Sequence, residues 1–281
     1  MKWNSYYRLM RFNKPACILL LWYPTAWALW IANAGFPSIE LVLLFLIGTL
    51  LMRAAGCVIN DVADRHIDKH VSRTKLRPLT SGEVSLNEAF GLITVLFIAS
   101  LLVLICLPKD CFYIALIALF ITVIYPFCKR FLNAPQLVLG LAFSMGIPMA
   151  YVASGTRLGG QFIFIFIINF TWIIAYDTMY AMTDKADDLR IGVKSTAIYF
   201  GSYDRLMIGI LQSAVHVLWL CWALLNHANV GFYFLWFAAG CILLYQQILI
   251  RNQIPQKCFK AFIISIYYGG LMWIAISVGL H

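Results

Sequence analysis

Three observations predict an all-α polytopic membrane protein of about nine transmembrane helices. Of the 281 residues, 62% are hydrophobic and only 12% charged, about half the charged share of a soluble domain. Nine apolar runs, at 17–35, 39–60, 87–107, 111–128, 135–154, 161–182, 204–225, 231–250 and 261–279, are each about long enough to cross a hydrocarbon core of roughly 30 Å. None alternates like a strand, so helices must satisfy the backbone inside lipid. Third, if the N-terminus is cytoplasmic, that side receives every Lys and Arg except Lys109, Arg157 and the intramembrane Arg53. This is a positive-inside pattern. The net charge of +9 therefore reflects topology and attraction to anionic groups at a membrane surface. It does not imply nucleic acid.

Residues 1–16 are basic and aromatic and are predicted to lie amphipathically on the cytoplasmic interface. They read neither as a cleavable signal nor as an Arg- and Ser-rich transit peptide. Lys14-Pro15 marks entry to the first span, since proline is tolerated in a first helical turn. Pro24 is expected to kink that span. Its Trp22, Tyr23, Trp27 and Trp30 are expected at lipid-facing or interfacial positions rather than in a substrate cleft. The second span contains Arg53, and a cation there costs about 2.5–3.5 kcal/mol on insertion scales and is functional by default. Arg77-Pro78-Leu79-Thr80-Ser81-Gly82 reads as a turn in the basic stretch 69–85. Ser85-Leu86-Asn87-Glu88 reads as a capping box for the third span. The fourth span ends at Tyr125-Pro126-Phe127, followed by Lys129-Arg130, and Pro148 is predicted to bend the fifth. Gln212, His216, Gln246 and Gln247 fit packing or interhelical hydrogen bonds. The eight cysteines, without a CxxC pair, read as small apolar residues rather than disulfides or a zinc site. Each half of the chain runs from an apolar span to an Asp cluster and a basic loop. This suggests two related four-helix portions plus a ninth helix.

The acids carry the chemistry. Twelve Asp and Glu occur in all, and Asp61, Asp64, Asp68, Asp177, Asp184, Asp187 and Asp188 crowd two short stretches. Asn60, Asp64 and Asp68 stand at i, i+4 and i+8, so a helix continuing through them sets all three on one face. Like charges roughly 6 Å apart there repel unless a cation sits among them. Hard oxygen ligands suit Mg²⁺, whose shell is usually completed by water and substrate phosphates. Asp177, Asp184 and Asp188 share a face in the second stretch. The two clusters are read as gripping a metal-bound diphosphate at the membrane surface. Arg53, two turns before Asn60, points into the same space but deeper and reads as a bidentate anchor for a carboxylate. Arg73, Lys75, Arg77, Lys129 and Arg130 are candidates to meet diphosphate oxygens.

Several motifs in register resemble the UbiA family of intramembrane prenyltransferases. They are Asn60-Asp61-x-x-Asp64-x-x-x-Asp68, Arg77-Pro78-Leu79-x-Ser81-Gly82, Tyr125-Pro126 with Lys129-Arg130, and the run from Tyr176-Asp177-Thr178 to Gly192-x-Lys194-Ser195. The second acidic motif, with Leu51-Met52-Arg53-Ala54-Ala55-Gly56-Cys57 before the first, is similar to the branch acting on 4-hydroxybenzoate. The likeness runs nearly end to end, so residues 1–281 are expected to form one integral-membrane prenyltransferase domain. The resemblance implies a central cavity open laterally to lipid, Mg²⁺ at the two Asp motifs, and polyprenyl diphosphate and 4-hydroxybenzoate as substrates in ubiquinone synthesis. It also implies a bacterial inner-membrane location with the active site opening to the cytoplasm. Asn60, Asp64, Asp68, Asp184 and Asp188 are the expected metal–diphosphate set, the four aspartates also catalytic. Asp61, Asp177 and Asp187 would support substrate binding, Arg77, Lys129 and Arg130 the diphosphate, and Arg53 the carboxylate.

A transporter also combines many spans with buried charges, but it places them near the midplane on broken helices, whereas these clusters end their spans at one face. The DGxxAR…GxxxDxxxD pattern of a phosphatidyltransferase is absent. Another aromatic acceptor within the same family stays open at this level.

Overall fold

Apolar runs bounded by capping residues fold here as twelve helices. The computed structural model describes residues 2–281, and no strand occurs among the described residues. The helices are α1 (Trp3–Leu9), α2 (Ala16–Ala32), α3 (Ile39–Asp64), α4 (Leu86–Ile105), α5 (Asp110–Cys128), α6 (Gln136–Ser144), α7 (Gly146–Ala153), α8 (Gly160–Ile191), α9 (Thr196–Tyr199), α10 (Asp204–Leu225), α11 (Val230–Leu249) and α12 (Pro255–Gly279). Eight segments are long and apolar enough to cross a membrane, counting α6 with α7 as one; α2, at 17 residues, is a shorter apolar helix. Helix starts follow local chemistry. The Ser38 hydroxyl accepts from Leu41 N at 3.3 Å, and Ser85 and Glu88 form the expected capping box, satisfying amides that lack an intrahelical partner. Gly192, at φ 73°, ends α8 in the left-handed conformation that glycine adopts without penalty.

Two prolines act differently. Helix α2 continues through Pro24, while the fifth span breaks at Met145 into α6 and α7. The ring of Pro148 opposes the carbonyl four residues back, that of Ser144. The Ser144 hydroxyl is in turn bound by Asn169 Nδ2 at 2.9 Å.

The aromatic residues of α2 correct the expectation. Trp22 and Trp27 are buried, neither lipid-facing nor in a cleft. Trp27 packs on Trp172 and Trp219, with ring centroids 5.1 and 5.2 Å away, and donates to the Gly269 carbonyl at 3.1 Å. Inside a bilayer helices gain little from hiding apolar area, so small residues that admit close packing set the interfaces. Gly269 does this, because a Cβ there would collide with Tyr23 and Trp172. The polar seam of the later spans is as expected: Gln212 donates to Gln246 at 2.7 Å and Gln246 to Ser265 at 2.9 Å. All eight cysteines are free.

A second apolar cluster joins α1, α3, the 71–85 loop and α4 through Leu9, Ala54, Val58, Leu79, Val84 and Ala89. Helix α1 is therefore strapped to the loop side of the bundle rather than simply floating on an interface. Arg8 pairs with Glu83 at 3.0 Å and Lys2 with Glu88 at 2.5 Å.

Candidate functional site

Helix α3 carries Arg53, Asn60, Asp61 and Asp64 on its last turns and then stops. Asp68 is not on a continuing helix: residues 65–67 turn, and Asp68–His70 form a 3₁₀ turn. The turn closes because the Thr74 hydroxyl donates to the Asp68 carbonyl at 3.0 Å. The Arg77 guanidinium also bridges Asp61 at 3.0 Å and Asp68 at 2.6 Å. Helix α8 runs unbroken through Asp177, Asp184 and Asp188, as the spacing predicted.

These pieces converge on one cavity of about 700 Å³. Its mouth is lined by Asn60, Asp61, Asp64, Asp68, Asp184 and Asp188, with Arg11, Arg73, Arg77 and Lys129 among them. Below lie Arg53, Tyr125, Tyr176, Asp177 and Tyr180, and further in the walls become apolar, with Phe97, Leu101, Leu104, Phe112 and Leu116 from α4 and α5. Leu101, Phe112 and Leu116 line the cavity and are also exposed on the outside of the bundle. Consecutive helices α4 and α5 make at most slight contact with each other. The apolar end therefore opens sideways toward where lipid would be.

The mouth is an alternation of charges. Lys129 Nζ lies 2.9 Å from Asp64 Oδ2 and 3.3 Å from Asn60 Oδ1. Arg73 chelates Asp184, its Nε 3.0 Å from one carboxylate oxygen and 3.2 Å from the other, and lies over the Tyr180 ring at 4.7 Å. Arg11 reaches Asp61 at 2.6 Å. Burial raises the pKa of the Asp68 carboxyl; the Arg77 guanidinium opposes this, while the Asp61 and Asp64 charges reinforce it. Burial alone would lower Lys129, but the facing Tyr125 and Asp64 reverse that and hold its ammonium above the usual range.

Three predicted residues stand elsewhere. Arg130 does not line the cavity; it donates to the Ala63 carbonyl at 2.9 Å and covers the end of α3. Asp187 accepts from the Ser72 amide at 3.0 Å and so ties the 65–85 loop to α8. Lys75 also lies outside the cavity wall. Arg11 escaped sequence reasoning. It sits at φ 58°, a conformation a non-glycine residue keeps only when its surroundings impose it, and Asp61 supplies the restraint. The available signal was Arg8 and Arg11, one turn apart with no acid in their own segment.

The donors suit a hard divalent cation. Among the described residues, no three His, Cys, Asp or Glu side chains converge into a cage. However, Mg²⁺ is commonly held by one or two carboxylates with water and phosphate oxygens. Asp64 Oδ1 is buried without a partner, and Asp188 lines the mouth with neither ion pair nor hydrogen bond among the described residues. A buried oxygen left unsatisfied is costly, and Asp64 Oδ1 belongs to a cavity lined by further oxygen donors.

Comparison with known proteins gives a consistent picture. The family model described as "UbiA prenyltransferase family" matches residues 21–274. The 4-hydroxybenzoate octaprenyltransferase of Legionella pneumophila strain Paris is 66% identical over 278 residues, covering 99% of each chain. The apo structure of a UbiA homolog from Aeropyrum pernix K1 superposes with a TM-score of 0.79 at 19% identity, covering 92% of this chain and 96% of that one. A UbiA homolog from Archaeoglobus fulgidus, bound to GPP and Mg²⁺, gives 0.72 at 20% identity, covering 98% of this chain and all of its own, 100%.

Proposed function

The chain belongs to the UbiA prenyltransferase family, and on that premise we propose that it transfers a polyprenyl group from polyprenyl diphosphate to 4-hydroxybenzoate. The new bond forms at the ring carbon ortho to the hydroxyl and diphosphate leaves, a step of ubiquinone biosynthesis. All 281 residues act as one multi-pass unit in a bacterial inner membrane. The observation that carries this reading is the cavity itself. Acidic and basic side chains share its mouth, one guanidinium lies deeper, and its apolar end opens to the side. A diphosphate, an aromatic acid and a long isoprenoid would each meet a matching environment.

Asn60, Asp64, Asp68, Asp184 and Asp188 would hold Mg²⁺ together with diphosphate oxygens. When bound, the metal supplies positive charge to the leaving diphosphate as the allylic C–O bond ionises. Arg73, Arg77, Lys129 and Arg11, now paired with the acids, would turn toward diphosphate oxygens and stabilise the same developing charge. Asp61 holds Arg11 and Arg77 in place, and Asp187 positions the loop that carries Arg73. The apolar walls below keep water from the allylic cation. The assay that tests the reading follows purified protein with labelled 4-hydroxybenzoate, polyprenyl diphosphate and Mg²⁺. Absence of a prenylated acid at any prenyl length would remove it.

Arg53 is the proposed carboxylate anchor. Its guanidinium lines the cavity and donates to Cys57 Sγ at 2.7 Å, with no acid within ion-pairing distance among the described residues. Losing a charge-assisted pair is worth on the order of 1.5–3 kcal/mol, so Arg53→Leu should lower kcat/KM for 4-hydroxybenzoate by roughly tenfold to a hundredfold. Binding of prenyl diphosphate should change far less, and Arg53→Lys should rescue only partly because an ammonium lacks the planar fork. Weaker prenyl diphosphate binding with an unchanged acceptor KM would move Arg53 to the diphosphate site.

The mouth is proposed to open to the cytoplasm, on the charge asymmetry of the loops. In a cysteine-free background, Ser72→Cys should resist an impermeant thiol reagent in intact cells and react after permeabilisation. Labelling in intact cells would reverse the orientation.

A further inference from the structure

The spacing that sets Arg53, Asn60 and Asp64 along α3 is repeated on α8. Asn60 and Asp64 follow Arg53 by seven and eleven residues, and Asp184 and Asp188 follow Asp177 by the same intervals. Residues at i, i+7 and i+11 share a helix face. Each helix thus brings two oxygen-bearing side chains to the mouth and one residue two turns deeper, and all six line the cavity. Helices α3 and α8 make at most slight contact with each other, and both line the cavity. Its deeper layer therefore carries a guanidinium from one wall and a carboxylate from the other.

Asp177 differs from most of the acids around it, and from Asp188 at the mouth, also unpaired among the described residues, in being buried at the deeper layer. Asp61, Asp64, Asp68 and Asp184 each hold a cation, and Asp187 holds a backbone amide. Asp177 is only 9% exposed, and no cation lies within ion-pairing distance among the described residues. Its neighbours are Gln136 from α6, Tyr125 and Lys129 from the end of α5, Tyr176 on its own helix, and the more distant Arg53 and Arg73. A buried carboxylate without a paired cation is costly; Gln136, which also accepts from the Thr196 amide, hydrogen-bonds it, but a neutral amide leaves its charge uncompensated.

Resting on the prenyl transfer proposed above, we infer that Asp177 is the base that takes the phenolic proton of the acceptor while Arg53 holds its carboxylate. The acceptor carries an acid at one end of the ring and a hydroxyl at the other, and this layer offers one partner for each. The Asp177 carboxylate accepts the O–H proton as the ortho carbon bonds to C1 of the prenyl group. The C1–O bond has by then ionised, its electron pair leaving on the diphosphate. The adduct is a neutral cyclohexadienone. The hydrogen on the newly bonded carbon then leaves as a proton to a diphosphate oxygen, and Asp177 returns its proton to the ring oxygen, restoring the aromatic phenol. One proton departs with the diphosphate, and Asp177 ends as it began.

The test compares wild type and Asp177→Asn on two acceptors, 4-hydroxybenzoate and 3-fluoro-4-hydroxybenzoate, whose phenol ionises more readily. With 4-hydroxybenzoate, kcat should fall about a hundredfold or more while KM changes little. With the fluorinated acceptor, the ratio of wild-type to variant kcat should shrink several-fold, because a more acidic phenol depends less on the base. Loss of folded enzyme would reduce both rates alike, so an equal ratio for the two acceptors overturns the inference, as does a variant kcat near wild type. Wild-type enzyme that releases diphosphate yet prenylates neither acceptor overturns the functional reading itself, and this inference with it.

Discussion

Chelation of divalent cations is expected to abolish turnover, and Mg²⁺ to restore it. Asp64→Ala and Asp184→Ala are each expected to lower kcat by about a thousandfold, the upper range for removing one preorganised electrostatic group. The two acids reach the mouth from different helices, α3 and α8, so neither substitution disturbs the backbone that carries the other. Their present partners, Lys129 and Arg73, would be left as unpaired cations facing the cavity, which should favour binding of an anion while the metal is lost. The discriminating pattern is thus near-normal retention of prenyl diphosphate with almost no chemistry. The double variant should be little worse than either single one, because groups that act through one ion fail together. Turnover undiminished after thorough chelation, or single-variant losses that multiply in the double variant, would separate the acids from a shared cation. Purification yield reported beside each rate keeps misfolding from imitating the effect.

How far the sequence disclosed this site depends on the range of the interactions involved. The spans, the Ser85 capping box and the glutamine seam between α10, α11 and α12 are local or depend on helical period, and they were legible. Asn60 and Asp64 share a face for the same reason, as do Asp184 and Asp188. Asp68 was misplaced because periodicity does not say where a helix stops. Its end at Asp64 is set by Arg77 and Thr74, which lie further along a loop and hold Asp68 in a turn. Arg130 looked like a second Lys129, but adjacent residues near a helix end point in different directions, and one of the pair caps α3 instead. Arg11 approaches Asp61 across fifty positions of chain, a contact with no short-range signature. Trp22 and Trp27 of α2 were misjudged because composition speaks for where aromatics commonly lie in membranes, whereas Trp27 is held inside the bundle by Trp172, Trp219 and the Gly269 carbonyl.

Lys129→Met should lower kcat by about a hundredfold to a thousandfold, and the loss should lie in the chemical step. Lys129 ends α5 beside Asp64, Asn60 and the Tyr125 ring, at the level between the mouth and the deeper layer. An ammonium there, held charged by its acidic and aromatic neighbours, faces the region where charge grows on the departing diphosphate. A preorganised cation at such a place acts mainly in the transition state, so kcat should fall more than affinity for prenyl diphosphate. Lys129→Arg keeps the charge but replaces a compact ammonium with a larger planar group and should recover only part of the rate. The substitution also removes the sole ion-pair partner of the buried Asp64 among the described residues. Breaking a buried pair costs about 3–5 kcal/mol, so the metal-free variant should melt at a lower temperature. Mg²⁺ with diphosphate should restore most of that stability, since a cation then occupies the place of the lost ammonium. A variant that melts early but turns over at the wild-type rate once loaded with metal would restrict Lys129 to holding Asp64 in the empty enzyme. A rate loss that persists in the fully loaded and restabilised enzyme places its charge on the leaving group.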